Sequence, residues 1–295
     1  MVIPKYIKNQ KNVIGFSEAK SYNQSIYKLA ADQVVLSGSD QVYLYLNNFK
    51  KTKLDIIIES NANIKLYLLS YNSRKTNVKL NFEIKDDALL KLYSNFIPKN
   101  KTKLFIQRKF DLAKNSSLIM LNNLTYNGSL QLIDEVDLNG ELANLDIDLL
   151  NIGSNKDKIK VNQFVKHNAK KTYSQINNWL ISNNNSKLNY NVIGAIKRGK
   201  ELSNCNQLNK GIILSENGEI KVEPKLFIDE YNVKASHGAA VGQIDENQLF
   251  YLLSRGLSEV EAKNLIISGY INPFINKIKN KRLEKQLSTK IKRLI

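Results

Sequence analysis

Few side chains in this sequence could do chemistry: His167, His237, the lone cysteine Cys205, and a group of carboxylates at Asp134, Glu135, Asp137, Asp146 and Asp148. Carboxylates on neighbouring strands can serve as an acid/base set for polysaccharide cleavage. Here they alternate with Val136, Leu138, Leu145, Ile147 and Leu149, which is the pattern of a solvated face opposite an apolar one. His167, between Val165 and Ala169, reads as a hydrogen-bonded structural residue. Cys205 reads as a small buried hydrophobe. One cysteine excludes an internal disulfide framework, and with two histidines beside it a closed zinc site within this chain is not expected. The sequence contains no P-loop, GxSxG, HExxH or CxxC motif.

His237 is different. In the stretch from Tyr231 to Asp245, Val233, Ala235, His237, Ala239 and Val241 fall on one parity. A strand period therefore turns the imidazole to the same face as four small apolar side chains. A neutral imidazole, hydrogen-bonded at its other nitrogen, can ligate iron or orient a ligand. A buried structural histidine is the competing reading.

The elements that position these residues are mostly strands. From about Asp32 to Val241, short alternating apolar runs are separated by Asn, Ser, Gly, Asp and Lys. Strands are predicted at Leu54/Ile56/Ile58, Ile64/Leu66/Leu68, Val78/Leu80/Phe82/Ile84, Leu118/Met120 and Leu130/Leu132. Val136/Leu138/Gly140/Leu142, Leu145/Ile147/Leu149 and Ile220/Val222/Pro224/Leu226/Ile228 continue the theme. Such a series suits a sandwich, a barrel or a β-helix. Asn127-Gly128, Asn139-Gly140 and Asn217-Gly218 are hairpin dipeptides, yet they also serve at solenoid corners.

After Ile244 the period becomes helical. Asp245 caps a helix carrying Leu249, Phe250, Leu252 and Leu253 and ending at Gly256. Ser258 and Glu261 form a capping box for a second helix, with Val260, Ala262, Leu265 and Ile266, ending at Gly269. Asn272-Pro273 starts a third, whose stripe of Ile275, Ile278, Leu283, Leu287, Ile291 and Leu294 lies between lysines. In isolation that last helix would suit a membrane surface.

The 295 residues, 42% of them hydrophobic, suffice for a sizeable core. The start, Met1 to Lys8, has no continuous apolar stretch of the leader type, and no segment offers the roughly 18 apolar residues of a membrane span. A cytoplasmic location is expected. The net charge of +17 raises nucleic-acid binding as an alternative. The lysines, however, are scattered among asparagines and isoleucines and form no basic arm, which favours a compositional origin.

Val233-Lys-Ala-Ser-His-Gly-Ala-Ala-Val-Gly-Gln-Ile-Asp245, with Gln248-Leu-Phe-Tyr-Leu-Leu-Ser-Arg-Gly256, resembles the C-terminal signature of the SufB/SufD family of iron–sulfur cluster assembly proteins. The Ser-His-Gly form points to its SufD branch. A softer likeness extends upstream through His167 to Thr172, Ser203 to Lys210 and Ile212 to Ser215, so that about two thirds of the chain is covered. The resemblance implies a mainly β fold, a right-handed parallel β-helix core with a small C-terminal α-helical unit. The chain then divides into a short N-terminal segment (1–31), the core (32–244) and a helical unit (245–295). The family's larger helical N-terminal domain is nearly absent from residues 1–31. The resemblance also implies a non-catalytic scaffold that pairs with a SufB-like protein through the β-helix. His237, flanked by Ser236 and Gly238, would lie at that seam, as a metal ligand shared with the partner chain. No cofactor is expected to be held stably by this chain alone; a transient iron–sulfur cluster forms at the interface. A SufC-like ATPase would dock on the terminal helices, at Phe250, Leu253, Arg255, Gly256, Leu265 and Ile266. Relatives often have cysteine where this chain has Ala235. No membrane partner is implied.

Overall fold

The computed structural model describes residues 13–15, 27–30, 32–47, 51–72, 75–98, 102–125, 128–278 and Thr289. In chain order the first strands are β1 (Val13–Gly15), β2 (Tyr27–Ala30), β3 (Gln33–Leu36), β4 (Ser39–Asn47), β5 (Lys51–Ile58) and β6 (Asn63–Asn72). Next come β7 (Thr76–Ile84), β8 (Leu89–Pro98), β9 (Thr102–Leu112), β10 (Ser117–Leu124), β11 (Gly128–Leu138) and β12 (Asn144–Gly153). The series closes with β13 (Lys158–His167), β14 (Tyr173–Ser182), β15 (Lys187–Ile196), β16 (Asn204–Ile213), β17 (Glu219–Ile228) and β18 (Lys234–Gln243). Two helices follow, α1 (Glu246–Ser254) and α2 (Glu259–Ile275).

From β3 onward the chain winds as a parallel β-solenoid. Successive strands alternate between two nine-stranded sheets: β1-β4-β6-β8-β10-β12-β14-β16-β18, here sheet A, and β17-β15-β13-β11-β9-β7-β5-β3-β2, sheet B. The pairings are parallel apart from β2 with β3. One coil takes 26 residues from Ile64 to Leu90 and 32 from Val192 to Pro224. The register explains why alternation was the dominant signal, since every second side chain points into a space enclosed by both sheets. Inward residues stack in columns. Leu92, Met120, Ile147 and Ile176 form one in sheet A. Val78, Ile106, Leu132, Val161 and Tyr190 form another in sheet B. Phe82 and Phe110 stack with ring centroids 4.6 Å apart.

The Asn-Gly dipeptides make no hairpins among the described residues; Asn127 lies outside them. Asn139-Gly140 is a corner, where Asn139 and Gly140 N–H groups donate to the Leu112 carbonyl of the coil before. A Cβ at Gly140 would lie 2.0 Å from the Lys114 backbone nitrogen, so close approach of two corners demands glycine there. The alternation read through Gly140 and Leu142 overruns this corner: β11 ends at Leu138, and Leu142 is exposed at φ 64°.

Six successive turns from sheet B to sheet A, from β5–β6 to β15–β16, repeat one design. A residue in the left-handed region (Asn61, Asp87, Asn115, Leu142, Lys171, Leu202) is followed by a small buried one (Ala62, Ala88, Ser116, Ala143, Thr172, Ser203). Leucine has no side-chain hydrogen bond to offset left-handed strain of about 1 kcal/mol. Leu202→Gly should therefore raise the unfolding free energy by roughly 0.5–1 kcal/mol in urea titration. A loss of stability would show that Leu202, 57% exposed, is held by packing instead.

The caps are where the sequence places them. Asp245 accepts from the Asn247 and Gln248 N–H groups, Ser258 and Glu261 form a capping box, and Gly256 follows α1 at φ 89°. The third helix is a correction. Gly269 and Pro273 both lie inside α2, which runs on to Ile275. An internal proline costs about 3 kcal/mol. Burial of Ile267, Ile271, Phe274 and Ile275 against Leu121, Leu150, Ile152, Trp179 and Ile181 on the outer face of sheet A offsets it, at about 1.5–3 kcal/mol per large side chain. Leu283, Leu287, Ile291 and Leu294 lie outside the described residues.

Candidate functional site

The solenoid ends at β17 and β18, the terminal strands of sheets B and A. Both are ten residues long, and each has a hydrogen-bonded neighbour on one side only. The inward positions of β18 register with those of β16: Cys205 with Ala235, Gln207 with His237, Asn209 with Ala239 and Gly211 with Val241. His237 thus extends the column Leu92, Met120, Ile147, Ile176, Gln207, and the parity reading of its direction holds. The burial reading does not hold. Among the described residues no further coil covers the row, so Ala235, His237, Ala239 and Val241 are exposed, while Cys205 and Gln207 one coil below are buried.

The flanking residues face the other way. Ser236 lies on the outer face, where its hydroxyl donates to Asn206 Oδ1 at 2.8 Å, and the Gly238 carbonyl accepts from Asn209 Nδ2 at 3.2 Å. These contacts tie β18 to β16 and leave the imidazole on the open interior row. In the described residues no group of three or more His, Cys, Asp or Glu stands together as a metal site.

Beneath the open end the interior is polar. His167 is 1% exposed, with Nδ1 at 2.7 Å from the Thr172 hydroxyl and Nε2 at 2.9 Å from that of Ser174. Thr172 in turn meets the Ser203 hydroxyl at 2.9 Å. The structural reading of His167 is what the geometry supports. Burial pushes its pKa down to about 4, so the fold holds it neutral. The unfolded chain takes up this proton near pH 6.5 and the folded one only near 4, so stability falls as pH drops across that window, by up to about 3 kcal/mol. His167→Gln should flatten this part of the stability–pH curve; an unchanged curve would remove His167 as its source.

Cys205 is also buried. Its thiol pKa is raised by desolvation, and it fits because a Cβ on Gly194 would stand 2.5 Å from its sulfur.

The carboxylates are the second correction. Asp134 and Asp148 are not on a solvated face. Asp134 points into the core from sheet B, where Arg108 Nε and Nη2 donate to its two oxygens at 2.7 Å each. Arg108 Nη1 reaches Ser94 Oγ at 2.7 Å and Asn122 Oδ1 at 3.1 Å on the opposite sheet. Asp148 lies under α2 on the outer face of sheet A, bonded to Lys277 and, at 3.0 Å, to Asn177. Burial raises its pKa despite the lysine. Glu135 and Asp137 do lie on the outer face of sheet B, beside Lys109 and Lys166. The five carboxylates are therefore divided among three surfaces: Asp134 in the core, Glu135 and Asp137 outside sheet B, and Asp146 with Asp148 beside Lys277 outside sheet A. Sequence reasoning missed these burials because the partners of Asp134 and Asp148 lie 26 and 129 residues away.

The helical unit presents a second surface. None of the residues of α1 is buried; Phe250 is 73% exposed and Tyr251 56%. Leu253 and Leu265 are exposed too, Ile266 is half-buried, and the exposed Arg255 lays its guanidinium 5.2 Å from the Tyr251 ring centroid. The residues that hold α2 to the sheet are Ile267, Ile271, Phe274 and Ile275. No helix among the described residues is long and apolar enough to cross a membrane.

Residues 46–270 match the family described as SUF system FeS cluster assembly, SufBD core domain. The iron–sulfur cluster assembly protein SufD of Bacillus subtilis is 39% identical over 106 residues, 36% of this chain and 24% of that protein. SufD of Escherichia coli is 28% identical over 159 residues, 52% of this chain and 36% of that protein. A SufBD family protein of Archaeoglobus fulgidus is 43% identical over 86 residues, 29% of this chain and 22% of that protein. The chain thus spans well under half the length of the curated relatives it matches.

Proposed function

The chain belongs to the SufB/SufD family of SUF-system iron–sulfur cluster assembly proteins and is SufD-like, and from that premise we propose that it is a scaffold subunit whose open solenoid end pairs with a SufB-type partner. One observation carries the reading: two ten-residue terminal strands with an unpaired edge, bearing a histidine on a row of small side chains. Long exposed strand edges are templates for pairing with another chain. Strand addition would satisfy their backbone groups and supply the missing coil over Ala235, His237, Ala239 and Val241. Small residues leave space beside the imidazole for a bulkier group from the partner.

In that arrangement the iron–sulfur cluster is cargo, built at the seam. His237 would offer a ring nitrogen to iron, while the partner supplies the remaining ligands, because among the described residues no second metal ligand stands on the row. Ala235 contributes no thiolate. The helical unit would dock a SufC-type ATPase, leaving α2 to carry its movement to sheet A.

The deciding experiment compares cluster loading per assembled complex in parent and His237→Ala. Exposure of His237 means the substitution should leave the melting temperature and partner pairing near the parent's. Loading should fall several-fold. Equal loading would move the chemistry onto the partner, and a large loss of stability would make His237 a structural residue. A parallel pull-down at moderate salt should retain the SufB-type and SufC-type proteins. Capture of nucleic acid instead, falling steeply with salt, would favour the basic-solenoid alternative.

A further inference from the structure

The helical unit packs on sheet A, and among the described residues nothing covers the outer face of sheet B. An apolar stripe crosses that face obliquely. It runs through Phe105, Ile133, Phe164, Ile193 and Phe227 on β9, β11, β13, β15 and β17. Phe105 pairs with Gln131, two residues short of Ile133, and Phe164 pairs with Glu135, two residues beyond it. Ile193 is in register with Phe164, and Phe227 with Ala195, two residues further on. These side chains alternate with inward ones and so point outward; Phe227 is 58% exposed and the others are half-buried.

The two flanks of the stripe carry opposite charge. On the side where the strands of later coils begin stand Lys158, Lys187 and Lys221, on β13, β15 and β17, with Lys158 and Lys187 in direct register. On the side where the strands of earlier coils end stand Asp55, Glu83 and Asp111, on β5, β7 and β9. Glu83, Asp111 and Asp137 are in register on three successive strands, and like charges so placed repel. Lys85 and Lys166 lie beside the outer two, whereas Asp111 accepts from the neutral Asn139 amide at 2.7 Å. In a chain of net charge +17 such a gathering of carboxylates is a local exception.

We propose that the outer face of sheet B pairs with a second copy of this chain, stripe on stripe, about a two-fold axis that runs along the stripe. From Phe105 to Phe227 the stripe crosses four strand spacings, about 19 Å, and advances six residues, about 20 Å, so it lies at about 45° to the strands. A two-fold axis in that direction crosses the strands of the two copies at about 90°, the orthogonal class of sheet packing. The same operation exchanges the flanks. It sets Lys158 opposite Asp55 and Lys221 opposite Asp111 of the second copy, and each contact occurs twice, as in any isologous interface. The occupant is a second copy because one surface supplies both halves of this match; a uniformly acidic or basic partner would be repelled by one flank. From β5 to β17 the face measures about 29 Å by about 33 Å, which accommodates the roughly 800 Å² per copy that a stable pairing buries. The pairing uses neither the open end nor the helices, so one dimer presents two of each.

The test uses the full chain in sedimentation equilibrium. The parent should be dimeric at low salt and dissociate as salt rises, because its flanking contacts are ionic. Phe164→Glu should weaken the dimer at least about tenfold, as loss of a central aromatic anchor does. K158E and D55K should each be impaired, since each homodimer then meets like charge twice. An equimolar mixture of the two should pair again, because the mixed dimer restores opposite charge at both contacts. In unaltered protein mixed from isotopically light and heavy stocks, carbodiimide coupling should join Lys158 to Asp55 between copies. A monomer at every concentration would overturn the proposal. So would a dimer indifferent to Phe164→Glu and K158E, which would place self-pairing at the open end. No recovery in the mixture would overturn the two-fold arrangement. If a variant folds poorly, the coupling decides on unaltered protein, and its absence between copies overturns the pairing.

Discussion

Asp134→Ala should lower the unfolding free energy by about 3–5 kcal/mol, a large share of the stability of an ordinary domain. The cost comes from Arg108, which is fully buried and would lose both of its bonds to the carboxylate while remaining charged. Ser94 and Asn122 accept from its third nitrogen, but neutral acceptors do not balance a buried cation. Through Arg108 Nη1 the pair bridges the two sheets across the interior. Removing both charges together, as in Arg108→Met with Asp134→Leu, should recover most of the loss. Since coils of a solenoid can open semi-independently, urea titration should be joined by hydrogen exchange, which should rise first in β9 and β11. A loss below about 1 kcal/mol, or a double variant as unstable as the single one, would show that the pair is hydrated and peripheral to the fold.

That ion pair also shows where reading the sequence stops. Alternation identified the strands and gave the inward parity of His237, because a period of two is a property of the local chain. It carried no information on whether another coil lies above, so the exposure of His237 was hidden. Arg108 and Asp134 occupy inward positions as regular as those of Leu104 and Leu130. Only their mutual registry, 26 residues apart, makes that tolerable. Asn139-Gly140 carries the same local signal in a hairpin and in a corner; what separates them is the Lys114 backbone of the coil before. A repeat signal was present all the same. The small buried residues Ala62, Ala88, Ser116, Ala143, Thr172 and Ser203 recur once per coil, each just after a left-handed corner. The caps of α1 and α2 were legible because capping is settled within four residues. Pro273 was misread because the sheet face that holds α2 together is remote in sequence.

The helical unit sets up the second large effect. Phe250→Asp should weaken binding of a SufC-type ATPase by at least about 30-fold, the loss expected when a central aromatic anchor is replaced by a charge. The premise is that α1 buries none of its own residues, while Phe250, Tyr251, Leu253, Val260 and Leu265 together expose an apolar surface on two helices whose caps fix them locally. Such a patch costs this chain nothing to alter, so Phe250→Asp should leave circular dichroism and the melting temperature at parent values. Ile271→Asp is the contrasting variant. It places a charge between α2 and Trp179, Leu150 and Ile152, so it should destabilise the attachment of α2 before any partner is added. Parent-like ATPase binding by Phe250→Asp and Leu253→Asp, each measured by calorimetry, would put the docking surface elsewhere. Retained binding by a chain ending at Ile244 would remove it from the helical unit altogether. If binding is lost in both Asp variants while the solenoid stays folded, the ATPase contact lies on helices that α2 joins to the outer face of sheet A. Its motion would then reach the open end through β14, β16 and β18, the strands between α2 and His237.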